Sequence, residues 1–168
     1  MKKAIFGLGC FWGPEEKFFK LDGITNTEVG YCGGKIDQTT YEEVCGGETN
    51  HAEVVKIEFD EKIISYEELL KKFFEIHDPT TLNRQGLDVG TQYRSEIFFF
   101  DNEQKKIAEE IKSNLNKKYN GKILQTFLNK KIIVKQKNII KNIYKKKVCS
   151  EYSFYIMVRQ KSFRSQNY

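Results

Sequence analysis

Alternation of apolar and polar residues marks several segments of the chain as β-strands. The clearest is HAEVVKIEFD at residues 51–60, where apolar residues stand at every second position. A period of two is typical of a strand with one buried face. Shorter β-rich segments at residues 3–9, 25–31 and 91–100 predict three further strands.

Helical spacing of apolar residues predicts three helices between these strands. Residues 12–21 begin with a proline and two acids, and residues 65–77 start at Ser65, a candidate N-cap. Residues 102–119 follow Asp101, a second candidate N-cap. The order β-α-β-β-α-β-α predicts an α+β fold, a ferredoxin-like two-layer α/β sandwich with helices packed on a mixed or antiparallel sheet.

Composition fits one domain with a packed core. The 168 residues are 39% hydrophobic and 30% charged, and no apolar run approaches the roughly 18 residues that a membrane span needs. The first residues lack the cleavage pattern of a secretory signal. A cytoplasmic protein without a membrane partner is therefore expected.

Charge divides the chain into two unlike parts. Residues 1–128 carry 17 Lys and Arg against 22 Asp and Glu, whereas residues 129–168 carry 11 basic residues and one acid, Glu151. The net charges are −5 and +10. The basic tail leaves a nucleic-acid-binding arm open as an alternative function, although residues 130–147 offer little aromatic surface for base stacking.

Four cysteines, Cys10, Cys32, Cys45 and Cys149, raise the question of metal binding or redox chemistry. No C-x-x-C spacing is present, so a metal site is not expected. Cys10 lies at the junction between a predicted strand and a predicted helix. Exposed amides at a helix start lower the pKa of a thiol, so Cys10 is a candidate nucleophile; burial in the core is the equally weighted alternative.

Aromatic residues and one carboxyl extend this candidate site. Phe11 and Trp12 beside the thiol could form an apolar wall suited to a methyl group. Glu53 shares its predicted strand face with Val55, so its pKa should rise by burial and a neutral carboxyl could donate a proton. An ion pair with an arginine such as Arg84 or Arg94 is the structural alternative.

Tyr41, Asp88 and Tyr93 are polar side chains expected in loops or at strand ends: Tyr41 lies in TYEEV at residues 40–44, Asp88 in the loop at residues 79–90, and Tyr93 at the start of the next predicted strand. Side chains on loops often carry function. Taken singly, each of the three is more often structural.

Together, five motifs closely resemble the A-type peptide methionine sulfoxide reductases over about residues 3–120. The motifs are, in order, GCFWG (9–13), GYCGG (30–34), TYEEVC (40–45), HAE (51–53) and LNRQGLDVGTQYRS (82–95).

The resemblance implies a role for each site residue. Cys10 would attack the sulfoxide sulfur, and Glu53 would protonate the sulfoxide oxygen. Substrate contacts would come from Phe11 and Trp12 at the methyl group, from Tyr41 and Tyr93 at the oxygen, and from Asp88 as an organiser of the site.

The resemblance also implies a reaction cycle. The S epimer of methionine sulfoxide, free or in proteins, would be reduced while Cys10 becomes a sulfenic acid. A second cysteine would then form a disulfide, and thioredoxin, or dithiothreitol in an assay, would reduce it without any bound cofactor. Candidates for this resolving cysteine are Cys149, Cys32 and Cys45. A monomer that repairs oxidised proteins is expected.

The tail departs from the family pattern Ala-Glu-x-Tyr-His-Gln-x-Tyr-Leu. When the possible codons of residues 135–141 are read one nucleotide out of frame, they permit the sequence Ala-Glu-Glu-Tyr-His-Gln. We therefore hypothesise a single-nucleotide frameshift near residues 121–122, which sequencing of the gene tests. Residues 1–121 are expected to form the catalytic core, and residues 122–168 a divergent, poorly ordered basic segment of the same domain. An inactive homologue that acts as a thiol redox sensor is the remaining alternative.

Overall fold

A central β-sheet organises the protein. The computed structural model describes residues 1–36, 39–124, 126–129 and 134–135, all within a unit that spans Met1–Gln136. Cys149 and the strand suggested by the sequence at residues 152–158 lie outside the described residues.

Eight strands are described, and six of them form one sheet. They are β1 (Lys2–Leu8), β2 (Ile24–Cys32), β3 (Ala52–Phe59), β4 (Arg84–Gln85), β5 (Asp88–Val89), β6 (Ser95–Phe99), β7 (Thr126–Asn129) and β8 (Val134–Lys135). The sheet order is β7-β6-β1-β3-β2-β8, while β4 and β5 form a separate hairpin. All neighbours in the sheet are antiparallel except β6 and β7, which run parallel.

Four helices are described, and their starts follow from local chemistry. They are α1 (Trp12–Phe19), α2 (Tyr41–Cys45), α3 (Tyr66–Ile76) and α4 (Asn102–Asn116). Ser65 caps α3 in a reciprocal capping box with Glu68, and Asp101 caps α4. Both caps satisfy amides that the first helical turn leaves unbonded.

One face of the sheet carries the main hydrophobic core. Alternate strand residues such as Phe6, Val55 and Ile57 pack there against helix residues such as Phe18 and Leu69. The opposite face carries a smaller cluster of Ile5, Cys32, Ala52, Val54 and Phe98. The two-layer α+β prediction with a mixed sheet is therefore confirmed.

A histidine links α3 to β6. His77 Nδ1 lies 2.6 Å from the Phe73 carbonyl oxygen, so this nitrogen must donate, and Nε2 accepts from the Ser95 hydroxyl at 2.7 Å. Burial lowers the pKa of His77 to about 4. The imidazole is therefore neutral in the folded protein at physiological pH.

An ion pair sits at the start of β6. Arg94 Nε donates to Glu96 Oε2 at 2.6 Å, and the Thr126 hydroxyl donates to the other carboxylate oxygen at 2.8 Å. Glu96 is 2% exposed, so its charge depends on these partners. Arg94 is thus paired with Glu96, and Arg84 donates to the Gly86 carbonyl.

Three details differ from the sequence prediction. Tyr41–Cys45 is a helix, where the sequence analysis assigned no element, because Thr40 and Glu43 form a capping box. Strand β6 begins only at Ser95, because Thr91–Tyr93 forms a 3-10 turn. The 79–90 segment contains the β4–β5 hairpin, whose registers are Arg84 with Val89 and Gln85 with Asp88.

Candidate active site

The candidate nucleophile lies in a sharp turn between β1 and α1. Gly9 has a φ of +89°, a conformation that favours glycine. A Cβ at Gly9 would lie 2.7 Å from the Cβ of Gln85, so a larger residue would also displace this neighbour. Cys10 follows, half-buried, and carries a thiol.

Helix α1 begins directly after the thiol. Phe11 occupies the N-cap position and supplies no side-chain cap. Instead, the Phe11 backbone N–H donates to Glu53 Oε2 across 3.2 Å. This hydrogen bond joins the carboxyl of Glu53 to the backbone of the residue that follows Cys10.

Strand β3 buries the carboxyl of Glu53. The residue pairs with Tyr31 in β2 and is 3% exposed. Burial raises the pKa of Glu53 to about 7, the Phe11 N–H opposes the shift, and the negative charge of Asp88 adds to it. The two arginines in the described part of the chain, Arg84 and Arg94, have other partners, so the carboxyl can hold a proton near neutral pH.

Two tyrosines converge on this carboxyl. The hydrogen bond from Tyr41 to Cys45 and burial raise the pKa of the Tyr41 hydroxyl, and the charges of Tyr93 and Glu53 add to this. Burial raises the pKa of Tyr93 to about 12, and the charges of Glu53 and Asp88 add to it, followed by those of Cys45 and Cys10. Both hydroxyls are therefore protonated donors at neutral pH.

Aromatic surface borders the thiol on one side. The Phe11 and Trp12 rings meet edge to face with centroids 5.3 Å apart, and Phe11 also lies 6.1 Å from the ring of Tyr31. Phe11 is 3% exposed and Trp12 38% exposed. Of these two rings, Trp12 thus presents most of the accessible aromatic surface, and it packs against the buried ring of Phe11.

The structure brings together Cys10, Tyr41, Glu53, Asp88 and Tyr93, the residues that the motifs singled out. Asp88 is exposed on the β4–β5 hairpin, close enough to act on both Glu53 and Tyr93.

Two further residues belong to this neighbourhood: Cys45, which the sequence argument named only as a candidate resolving cysteine, and Gln85, to which it gave no role. Cys45 contacts Tyr41, and Gln85 packs on Gly9. The Gln85 side chain is itself fixed by two hydrogen bonds with the backbone of Asp78, each 3.0 Å long. The T-x-x-E pattern at Thr40 could have revealed the helix that carries Cys45.

Cys32 lies apart from this cluster. It is 0% exposed and belongs to the small hydrophobic cluster on the opposite face of the sheet from Glu53. Within the described part of the chain, no group of three or more His, Cys, Asp or Glu side chains is arranged to hold a metal ion. No described helix is long and apolar enough to cross a membrane.

Comparison with known proteins places the chain in a known family. The model of the peptide methionine sulfoxide reductase family matches residues 2–168. The chain belongs to this family. Like its relatives, the reductase is an oxidoreductase of the A type.

Relatives and solved structures agree with this assignment. The reductase is 62% identical over 124 residues to the MsrA of Pelagibacter ubique, covering 74% of this chain and 84% of that protein. It is 55% identical over 114 residues to the MsrA of Methanothermobacter thermautotrophicus, covering 68% of each. The reduced form of Mxr1 from Saccharomyces cerevisiae superposes with a TM-score of 0.79 at 34% identity, covering 90% of this chain and 88% of that one.

Proposed function

We propose that this reductase converts methionine-S-sulfoxide, free or within proteins, to methionine through a sulfenic acid on Cys10. The observation that supports the proposal is the hydrogen bond from the amide that follows Cys10 to Glu53, a buried carboxyl whose pKa is raised to about 7. The choice of the S epimer rests on the resemblance to the A-type family.

The first step moves one oxygen atom. The sulfur of Cys10 attacks the sulfoxide sulfur while Glu53 gives a proton to the sulfoxide oxygen, which is a poor leaving group until protonated. The attack forms an S–S bond between Cys10 and methionine; this bond and the S–O bond to methionine then break as the protonated oxygen bonds to the Cys10 sulfur, and the proton that the Cys10 thiol gave up on becoming a thiolate restores the carboxyl. Methionine is reduced by two electrons and Cys10 is oxidised by two.

The surrounding side chains fit the charge changes of this step. Amides at the start of α1 favour a thiolate on Cys10, and the Asp88 charge helps keep Glu53 protonated. The Tyr41 and Tyr93 hydroxyls can donate to the oxygen as negative charge develops on it. The exposed ring of Trp12 offers a polarizable surface to the substrate methyl group.

We further propose that thioredoxin reduces the oxidised enzyme. Mxr1 has been solved in complex with Trx2, and this chain is 28% identical to Mxr1 in that structure. Dithiothreitol should replace thioredoxin in an assay, because any accessible dithiol can reduce a disulfide or a sulfenic acid. A cytoplasmic monomer that repairs oxidised methionine in proteins is consistent with this chemistry.

The test is methionine release with dithiothreitol as reductant. Wild type and C32S should release methionine from the S epimer and not from the R epimer, and C10S should release none. Cys32 is a suitable control because it lies on the opposite face of the sheet. Absence of turnover in folded wild-type protein, or turnover by C10S, would contradict the proposal.

A further inference from the structure

Three apolar side chains stand out on the β4–β5 hairpin and the segment that leads into it. Leu87 is 95% exposed, Leu82 73% and Val89 68%. Apart from Met1 at the start of the chain, these are the most exposed large hydrophobic side chains among the described residues. Single exposed hydrophobic residues are normal, whereas a group of them on one segment marks an interaction site. We call these three residues the hairpin patch.

The fold gives no reason for an apolar residue at the tip of this hairpin. A side chain that stays 95% exposed buries almost no surface, so Leu87 adds little hydrophobic stabilisation. Leu87 lies in the turn between β4 and β5, directly after Gly86, whose φ is +60°. Such turns favour glycine, proline and small polar residues. A contact with another molecule explains a leucine in this turn better than the fold does.

Hydrogen bonds hold the hairpin in a fixed shape. Besides the side-chain bonds of Gln85 described above, the Gly90 N–H donates to the Asn83 carbonyl at 2.9 Å. Arg84 Nε donates to the Gly86 carbonyl at 2.8 Å. A surface that is already ordered loses little conformational entropy when it binds a partner. The hairpin patch is therefore preorganised for contact.

The same hairpin lies against the turn that carries the nucleophile. A Cβ at Gly9 would lie 2.7 Å from the Cβ of Gln85, and Cys10 is the next residue. Leu87 is two residues beyond Gln85, so it lies within about 7 Å of it, since an extended chain spans about 3.3–3.6 Å per residue. Two or three residues of an extended substrate on one side of the reacting methionine can span such a distance.

We propose that the hairpin patch binds apolar side chains that flank the oxidised methionine in an extended polypeptide. This proposal rests on the proposed function, which brings a methionine sulfoxide to Cys10. A polypeptide substrate has to continue across the surface beside the thiol, and the hairpin forms part of that surface. Because methionine is mostly buried in folded proteins, among other apolar residues, the segments that expose it on unfolding carry apolar neighbours. The enzyme then favours methionine sulfoxide in such segments over the same residue among polar neighbours.

A comparison of two peptides tests the proposal, with dithiothreitol as reductant. In one peptide leucine and valine flank methionine-S-sulfoxide within three positions, and in the other serine and threonine replace them. Methionine formation is measured for wild type, the double variant L87S/V89S and the control I63S. Ile63 is a matched control because it is 62% exposed and follows β3 at the end far from Glu53.

The ratio of kcat/KM for the apolar peptide to that for the polar peptide is the readout. It should be about tenfold in wild type and I63S, as expected from burying roughly one leucine side chain, and the difference should lie in KM. In L87S/V89S the ratio should fall to near one. Any shift of Asp88 in this variant affects both peptides alike and cancels in the ratio.

The opposite results overturn the proposal. A ratio near one in wild type, or a ratio that L87S/V89S retains, removes the hairpin patch from substrate binding and leaves the proposed function standing. If the retained ratio comes with a raised KM for thioredoxin, the patch binds the reductant. If it comes with loss of a wild-type dimer in analytical ultracentrifugation, the patch binds a second copy. No methionine formation from either peptide by wild type overturns both proposals.

Discussion

Replacing Glu53 by glutamine removes a proton from the site while preserving the shape of the side chain. A glutamine oxygen can still accept the Phe11 N–H that Glu53 Oε2 accepts across 3.2 Å. The start of α1 should therefore stay in place. Urea unfolding should give a free energy within about 1 kcal/mol of wild type, since an uncharged amide is as easily buried as the protonated acid.

The expected effect on rate follows from the pKa of about 7. The protonated fraction of Glu53 falls from about nine-tenths at pH 6 to about one-tenth at pH 8. Loss of general acid catalysis costs about 10²–10⁴ in rate, or about 3–5 kcal/mol of transition-state stabilisation. The ratio of the wild-type rate to the E53Q rate should therefore be largest at low pH and fall about tenfold between pH 6 and pH 8.

The assay is a single turnover with excess methionine-S-sulfoxide, quenched at intervals, with methionine release measured from pH 6 to pH 8. Ionisation of Cys10 affects wild type and E53Q alike and cancels in their ratio. The control is E15Q, because burial also raises the pKa of Glu15 but this residue lies outside the site. A constant wild-type to E53Q ratio across this range would refute a catalytic proton on Glu53.

Three further predictions concern stability, each measured by urea unfolding. Burial lowers the pKa of His77 from 6.5 to about 4, so its contribution to the free energy of unfolding is intact above pH 6.5 and falls by up to about 3 kcal/mol as the pH drops towards 4. The H77Q variant should lose this pH dependence. If H77Q kept the pH profile of the wild type, this role of His77 would be contradicted. The substitution G34A should lower the free energy of unfolding by about 1–3 kcal/mol through overpacking, because the added Cβ would meet the His51 ring. If G34A were as stable as the wild type, the His51 ring would have to move aside easily. E96Q should cost about 3–5 kcal/mol by leaving Arg94 without its carboxylate, and the double variant R94M/E96L should be less destabilised than E96Q.

Local chemistry explains what the sequence predicts well. The Ser65 cap and the alternation of residues 51–60 depend on neighbours within a few positions, and the structure confirms both. The same alternation correctly places Glu53 on the buried face. The catalytic roles of the site residues stay predictions.

Features set by distant parts of the chain were not predictable in this way. Thr91–Tyr93 forms a 3-10 turn, although its β-rich residues favour a strand. The electrostatic influence of Cys45 and Cys10 on Tyr93 depends on three elements that are far apart in the sequence. The helix at Tyr41 was predictable from Thr40 and Glu43, but the sequence analysis assigned no element there.

The hypothesis of a frameshift near residues 121–122 also stays a prediction. The family model matches through residue 168, whereas the Pelagibacter ubique relative aligns over 124 residues. Sequencing of the gene tests this hypothesis. The hypothesis is wrong if the nucleotides at the codon junctions of residues 135–141 do not spell Ala-Glu-Glu-Tyr-His-Gln in the displaced frame.

The position of β1 inside the sheet sets an order for assembly during synthesis. Strand β1 pairs with β3 on one side and with β6 on the other, and Ile5 meets Phe98 only late in the chain. Contacts of such high sequence separation form slowly, whereas β1, β2 and β3 can pair once the first 59 residues have left the ribosome. The backbone amide that follows Cys10 and the carboxyl of Glu53 can therefore meet in the nascent chain before Asp88 and Tyr93 have been translated.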